Sequence, residues 1–81
     1  MEFSKAPDDY ASRVRLRVRL ALTEHNLSGA ALARQVGWSQ SYVAHRLTGR
    51  RPFTVEDIAK IAAALDIPVN RLTADRAEAV A

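Results

Sequence analysis

The stretch from Leu27 to Gly49, LSGAALARQVGWSQSYVAHRLTG, constrains this chain more than any other. It reads as two short helices hinged at Gly37. Ser28 is a good N-cap, with a hydroxyl that can satisfy orphan backbone donors of a first turn. Leu32, Ala33 and Val36 then recur at helical spacing on one face. Gly37 can take the left-handed conformation that ends such a helix. Ser39 caps a second helix, in which Val43 and Leu47 form an i, i+4 apolar stripe. The remaining face carries Gln40, Ser41, Ala44, His45 and Thr48. Ala33 is small where two helices meeting at a sharp angle need room to cross.

Two short capped helices with a polar face on the second are the signature of a helix-turn-helix, whose second helix enters the DNA major groove. Gln40, Ser41 and His45 share the exposed face near that helix's N-terminus. Gln can pair with adenine through two bonds, Ser can bond donors or acceptors, and His can donate to guanine. These three are the candidate base readers. Ser28 and Gly29 open the first helix of the motif, whose free N–H groups can clamp a phosphate, and Ser39 opens the second in the same way. Arg50 and Arg51, just past the second helix, suit phosphates. Tyr42 can reach a phosphate through its hydroxyl or pack beside the apolar stripe.

Composition agrees with a nucleic-acid partner. From Met1 to Arg51 there are nine basic and four acidic residues, and from Pro52 to Ala81 three and five, giving +5 and −2 within a net +3. A basic half beside a slightly acidic one suggests one face turned to a polyanion. The 81 residues allow one domain with a modest core, and 48% hydrophobic residues are too many for a disordered chain. No apolar run approaches a membrane span, and MEFSKAPDD lacks the pattern of a signal peptide. With no cysteine there can be no disulfide or cysteine-ligated zinc, which fits a cytoplasmic address. Catalysis finds no footing: His25 and His45 fall on different helices, and Glu56 and Asp57 belong to a cap. Neither a metal nor a cofactor is expected.

Elsewhere, RVRLRVRL from Arg13 to Leu20 alternates like a strand. Read as a helix, it lines up Tyr10, Val14, Val18, Ala21 and Leu22 on one side. The helix is preferred because nothing else alternates to pair with a strand. Pro7, Asp8 and Asp9 suit its first turn. Its arginines cannot all face DNA, since neighbours two apart lie about 200° apart; Arg17 is the phosphate candidate and the others are expected in solvent. Thr54 opens a further helix with a T-x-x-D capping box, TVED, followed by Ile58, Ile61, Ala62 and Leu65 on one face. Asp66 to Pro68 breaks it, and VNRL supplies a last turn that returns Leu72 to the core. Residues 1–7 are expected to form an arm in which Lys5 could reach the groove. Residues 8–72 form the domain, and 73–81 a tail or helix extension.

The motif and its continuation, GRRPFTVEDIAKIAAALDIPVNRL from Gly49 to Leu72, resemble the lambda-repressor/Cro-like, or XRE, family of helix-turn-helix regulators. The likeness covers about Asp8 to Leu72. It implies an all-α, five-helix domain with the helix-turn-helix at helices 2 and 3. The family often pairs Arg on helix 1 with Glu near the end of helix 3; here those places hold Leu22 and Leu47, expected to touch as an apolar substitute. Trp38 stands where the family prefers a mid-sized apolar residue, which favours partial burial over base stacking or a dimer role.

The resemblance implies a sequence-specific regulator of transcription, with repression as the default outcome and a small Cro-like or immunity-type phage or bacterial repressor as the type. A homodimer is expected on a pseudo-palindromic operator with half-sites about 34 Å apart. It would meet through the C-terminal part, where Val69 and Val80 have no evident core place, and no small-molecule ligand is foreseen. The alternative is an antitoxin that also represses its own operon.

Overall fold

Five helices follow one another along residues 9–74, the part of the chain that the computed structural model describes. They are α1 Tyr10–Glu24, α2 Gly29–Val36, α3 Gln40–Leu47, α4 Val55–Leu65 and α5 Asn70–Thr73. The N-terminal arm with Lys5, and the tail with Val80, lie outside the described residues.

The alternating segment Arg13–Leu20 is helical throughout. Val14 and Val18 stand one turn apart and are buried with Ala21 and Leu22, so the helical period decides which side faces inward. Tyr10, expected on that side, is instead 53% exposed, with the Arg13 guanidinium 5.4 Å from its ring centre. It is the first residue of the helix; Pro7 and Asp8, read into the first turn, lie outside the described residues. Asp9 is the N-cap, its carboxylate accepting from the Ser12 amide at 2.7 Å. That bond holds the Asp9 carboxyl below its usual range.

The other caps fall where their residue types place them. Ser28 Oγ accepts from the Ala31 amide at 3.0 Å, and Ser39 Oγ from the Tyr42 amide at 3.1 Å. Thr54 and Asp57 complete a reciprocal capping box at the start of α4. Gly37 ends α2 at φ 81°, a conformation with little cost only for glycine. Asp66 ends α4 in the left-handed region at φ 57°, which short polar side chains tolerate.

Every helix contributes a fully enclosed side chain to one core: Val14 and Val18 from α1, Leu32 from α2, Val43 from α3, Ile61 from α4 and Leu72 from α5. α2 packs on α3 and α4, and α1 packs on α5 and α3. Leu22 is buried and Leu47 half-buried against this core, on the apolar side expected of both. Phe53, unremarked in the sequence, is buried beneath the turn between α3 and α4.

The α1 arginines are less solvated than their number suggests. Arg13 and Arg15 are half-buried. Arg19 is exposed, yet its Nη1 donates at 3.0 Å to the Leu47 carbonyl, one of the orphan acceptors at the end of α3. Arg15 lies across Gly49, where an added Cβ would stand 2.9 Å from the guanidinium, and Gly49 itself has φ 90°. Gly49→Ala is therefore expected to cost about 1–2 kcal/mol from the left-handed backbone, with little added by Arg15, whose flexible guanidinium can move aside. Denaturant titration checks this; a change below about 0.5 kcal/mol would show that the turn relaxes freely.

Candidate nucleic-acid interface

α3 divides into three faces. At about 100° per residue, Val43 and Leu47 form one row, Gln40 and Ala44 the next, Ser41 and His45 a third, and Tyr42 and Arg46 a fourth that closes the circle. The first row is the apolar one and meets the core. Gln40, Ser41 and Ala44 are exposed and His45 is half-buried, so the second and third rows make one polar surface. Ser28 is exposed and Gly29 half-buried at the start of α2, beside that surface. A hollow of about 360 Å³ is lined by Gly29 and Ala30 of α2 and by Gln40, Ala44 and Leu47 of α3.

The cap bonds leave something over for a ligand. Ser28 and Ser39 each accept through a lone pair, so each hydroxyl keeps its proton to donate. The first amides of both helices have no partner within the helix, and the helix dipole adds positive potential there. Beyond α3, the amides of Arg50 and Arg51 bond back to the His45 carbonyl at 2.9 and 3.2 Å. This turn fixes the backbone of two exposed arginines against the end of the helix. Arg17 sits half-buried on α1, separate from this turn in sequence.

Tyr42 is found packed, the second of the two readings its sequence position left open. Its hydroxyl donates to Asp57 Oδ1 at 2.6 Å. Its ring lies 4.9 Å from that of half-buried Trp38 and carries the Arg46 guanidinium 3.6 Å from its centre. Arg46 Nε stands 3.4 Å from Asp57 Oδ2, and its Nη1 donates to the Tyr42 carbonyl at 3.3 Å. Trp38, Tyr42 and Arg46 are thus a stack at i, i+4 and i+8, closed by a carboxylate from α4.

Asp57 is 3% exposed, a buried charge that the sequence shows only as a cap. Burial by itself would push its carboxyl up. The bonds from Tyr42 and Thr54 and the Arg46 charge outweigh that penalty and hold it below the usual carboxylate range. The same bond to Asp57, with burial, pushes the Tyr42 phenol up. Sequence reasoning passed over Arg46 because it looked for the family's ion pair at Leu22 and Leu47. An ion pair is present one residue earlier, and it ties α3 to α4 rather than to α1. The signal available was the i, i+4 spacing of Tyr42 and Arg46 on a flank that is neither apolar nor free.

The helix-turn-helix family model matches residues 18–72. The chain belongs to this XRE-type helix-turn-helix family and is a DNA-binding regulator of transcription. Among solved structures it is similar to the hypothetical transcription factor NHTF from Neisseria, at 25% identity and a TM-score of 0.81 over 99% of this chain and 92% of that one. It is also similar to the restriction-modification controller protein C.AhdI from Aeromonas hydrophila, at 35% identity and a TM-score of 0.67 over 74% of this chain and 91% of that one. No curated protein sequence matches it. None of the described helices is long and apolar enough to cross a membrane.

Proposed function

We propose that this chain is a sequence-specific repressor that reads a short operator in the major groove with α3. The observation that carries this reading is the polar surface of Gln40, Ser41 and His45, flanked by two free helix N-termini and by Arg50 and Arg51. In this reading, phosphates are held by the first turns of α2 and α3, through Ser28, Gly29 and Ser39, and by Arg17, Arg50 and Arg51. These contacts set register and carry no sequence information. Gln40, Ser41 and His45 address base edges, with Gln40 suited to adenine.

A single domain this small contacts too little DNA for strong discrimination, so two copies bind as a homodimer on a pseudo-palindrome, with half-sites about 34 Å apart. The exposed Val69 at the entrance to α5 supports a meeting through the C-terminal part. Repression follows from occupying a promoter in the bacterial cytoplasm, as a small Cro-like or immunity-type regulator does. The 35% identity to a restriction-modification controller favours one further reading, control of a neighbouring operon of that kind. Restriction and methyltransferase genes beside this one would select it.

Selection of bound sequences from random duplexes, followed by two substitutions, tests the assignment. Gln40→Ala is expected to cost about 1–3 kcal/mol on the selected site and little on random DNA. Arg51→Ala should weaken binding to both alike and make the salt dependence shallower by about one unit of slope. Equal losses from both variants on both duplexes would refute this division of labour.

A further inference from the structure

We infer that Asp57 is a positioning residue for DNA reading: through Tyr42 and Arg46 it sets the rotation of α3 about its own axis, and so the aim of Gln40, Ser41 and His45. The inference rests on the reading that this surface of α3 meets base edges. α3 has one buried side chain, Val43, and Leu47 beside it is half-buried. Apolar contact is non-directional, so a single row of this kind allows an eight-residue helix to roll. Hydrogen bonds, which are directional, oppose the roll at two points along the helix. On one flank Asp57 receives the Tyr42 hydroxyl at 2.6 Å and faces Arg46 Nε at 3.4 Å. At the far end Arg19 of α1 holds the Leu47 carbonyl at 3.0 Å.

The carboxylate is itself fixed, which a hinge of this kind requires. Its Oδ2 accepts the Thr54 amide at 2.9 Å, and the Asp57 amide donates to Thr54 Oγ at 3.0 Å. Ile58 and Ile61, the next buried residues of α4, anchor that cap to the core. Geometry sets the stakes. Side chains reach about 5–6 Å from a helix axis, so a roll of about 10° moves their contact atoms by about 1 Å. Productive constellations tolerate about half of that. An ion pair of this sort adds little net stability over apolar residues of the same size, whereas the Tyr42 hydroxyl bond beside it has a direction that apolar residues cannot supply.

Tyr42→Phe and Arg46→Met test the inference, because both leave Asp57 and the Thr54 cap in place. Dissociation constants are measured on the selected duplex and on a random one, at a temperature where circular dichroism shows each variant folded. Preference for the selected duplex should fall about tenfold, a loss comparable to one base contact, while affinity for random DNA stays within about twofold. In the DNA-free protein, amide exchange across α3 should quicken relative to α2. Unchanged preference in the folded variants would overturn the inference, leaving the cluster a stabilising contact only. Equal loss on both duplexes would also overturn it, by making Arg46 a phosphate contact. A wild-type chain with no preference among duplexes would refute the proposed function instead. The exchange comparison then decides the restraint alone: unchanged α3 exchange removes Asp57 as the restraint on α3, and quickened exchange keeps that restraint without a part in DNA reading.

Discussion

Leu32→Ala lowers the unfolding free energy by about 3–5 kcal/mol, the range for emptying a well-enclosed leucine site. Leu32 is fully buried, in the helix that packs on both α3 and α4, so its removal opens a void where three helices meet. Domains are stable by only about 5–15 kcal/mol, and one this small lies toward the lower end. The variant should therefore melt at least about 12 °C below the wild type. DNA affinity should fall only as far as the folded fraction does, because Leu32 does not reach the polar surface of α3. A melting point within about 5 °C of wild type would show that the neighbouring helices close over the gap.

Asp57→Ala is the second large effect, at about 3 kcal/mol. It removes the carboxylate half of the capping box, a bond from the Thr54 amide worth about 1 kcal/mol, strips the Tyr42 hydroxyl of its acceptor, and leaves the 14%-exposed Arg46 side chain without its counter-charge. Orphaning a fully buried ion costs about 3–5 kcal/mol; the partial exposure of Arg46 keeps the sum near the bottom of that range. Acid should reveal the same group. Because folding lowers the Asp57 pKa, its contribution is present above the unfolded carboxylate value, about 3.9, and is lost as pH falls through the folded one. Asp9 is lowered too and loses its contribution in the same acid window. Chemical denaturation of wild type and Asp57→Asn at pH 7 and pH 3 separates them. The gap between the two proteins should narrow at pH 3, and a gap that stays constant would show that the carboxylate charge contributes nothing.

Much of the fold is legible because its signals are local. Ser28, Ser39 and Thr54 cap helices through their own hydroxyls, bonding amides three residues on. Gly37 ends α2 through its own backbone freedom. Val14 with Val18, and Ile58 with Ile61 and Leu65, declare their shared faces by spacing alone. Even the strand-like alternation of Arg13–Leu20 yields to a global fact available in the sequence, the lack of any partner segment. The polar surface at Gln40, Ser41 and His45 is legible for the same reason, as the complement of an apolar row one or two residues away.

Other features are non-local, and sequence alone could not order them. Arg15 over Gly49, Arg19 on the Leu47 carbonyl, and Arg46 and Tyr42 on Asp57 are contacts between residues 11 to 34 positions apart. A long flexible side chain beside a polar partner has many such options, and helical period does not rank them. So the sequence by itself determined five helices, their caps, their buried faces and a polar surface on the third. Tertiary structure alone decided which arginines are spent inside the molecule, and that a buried carboxylate of α4 grips the flank of α3. The physical reason is range: caps and amphipathic faces act within about one turn, whereas a charge finds its partner only after packing has brought the helices together.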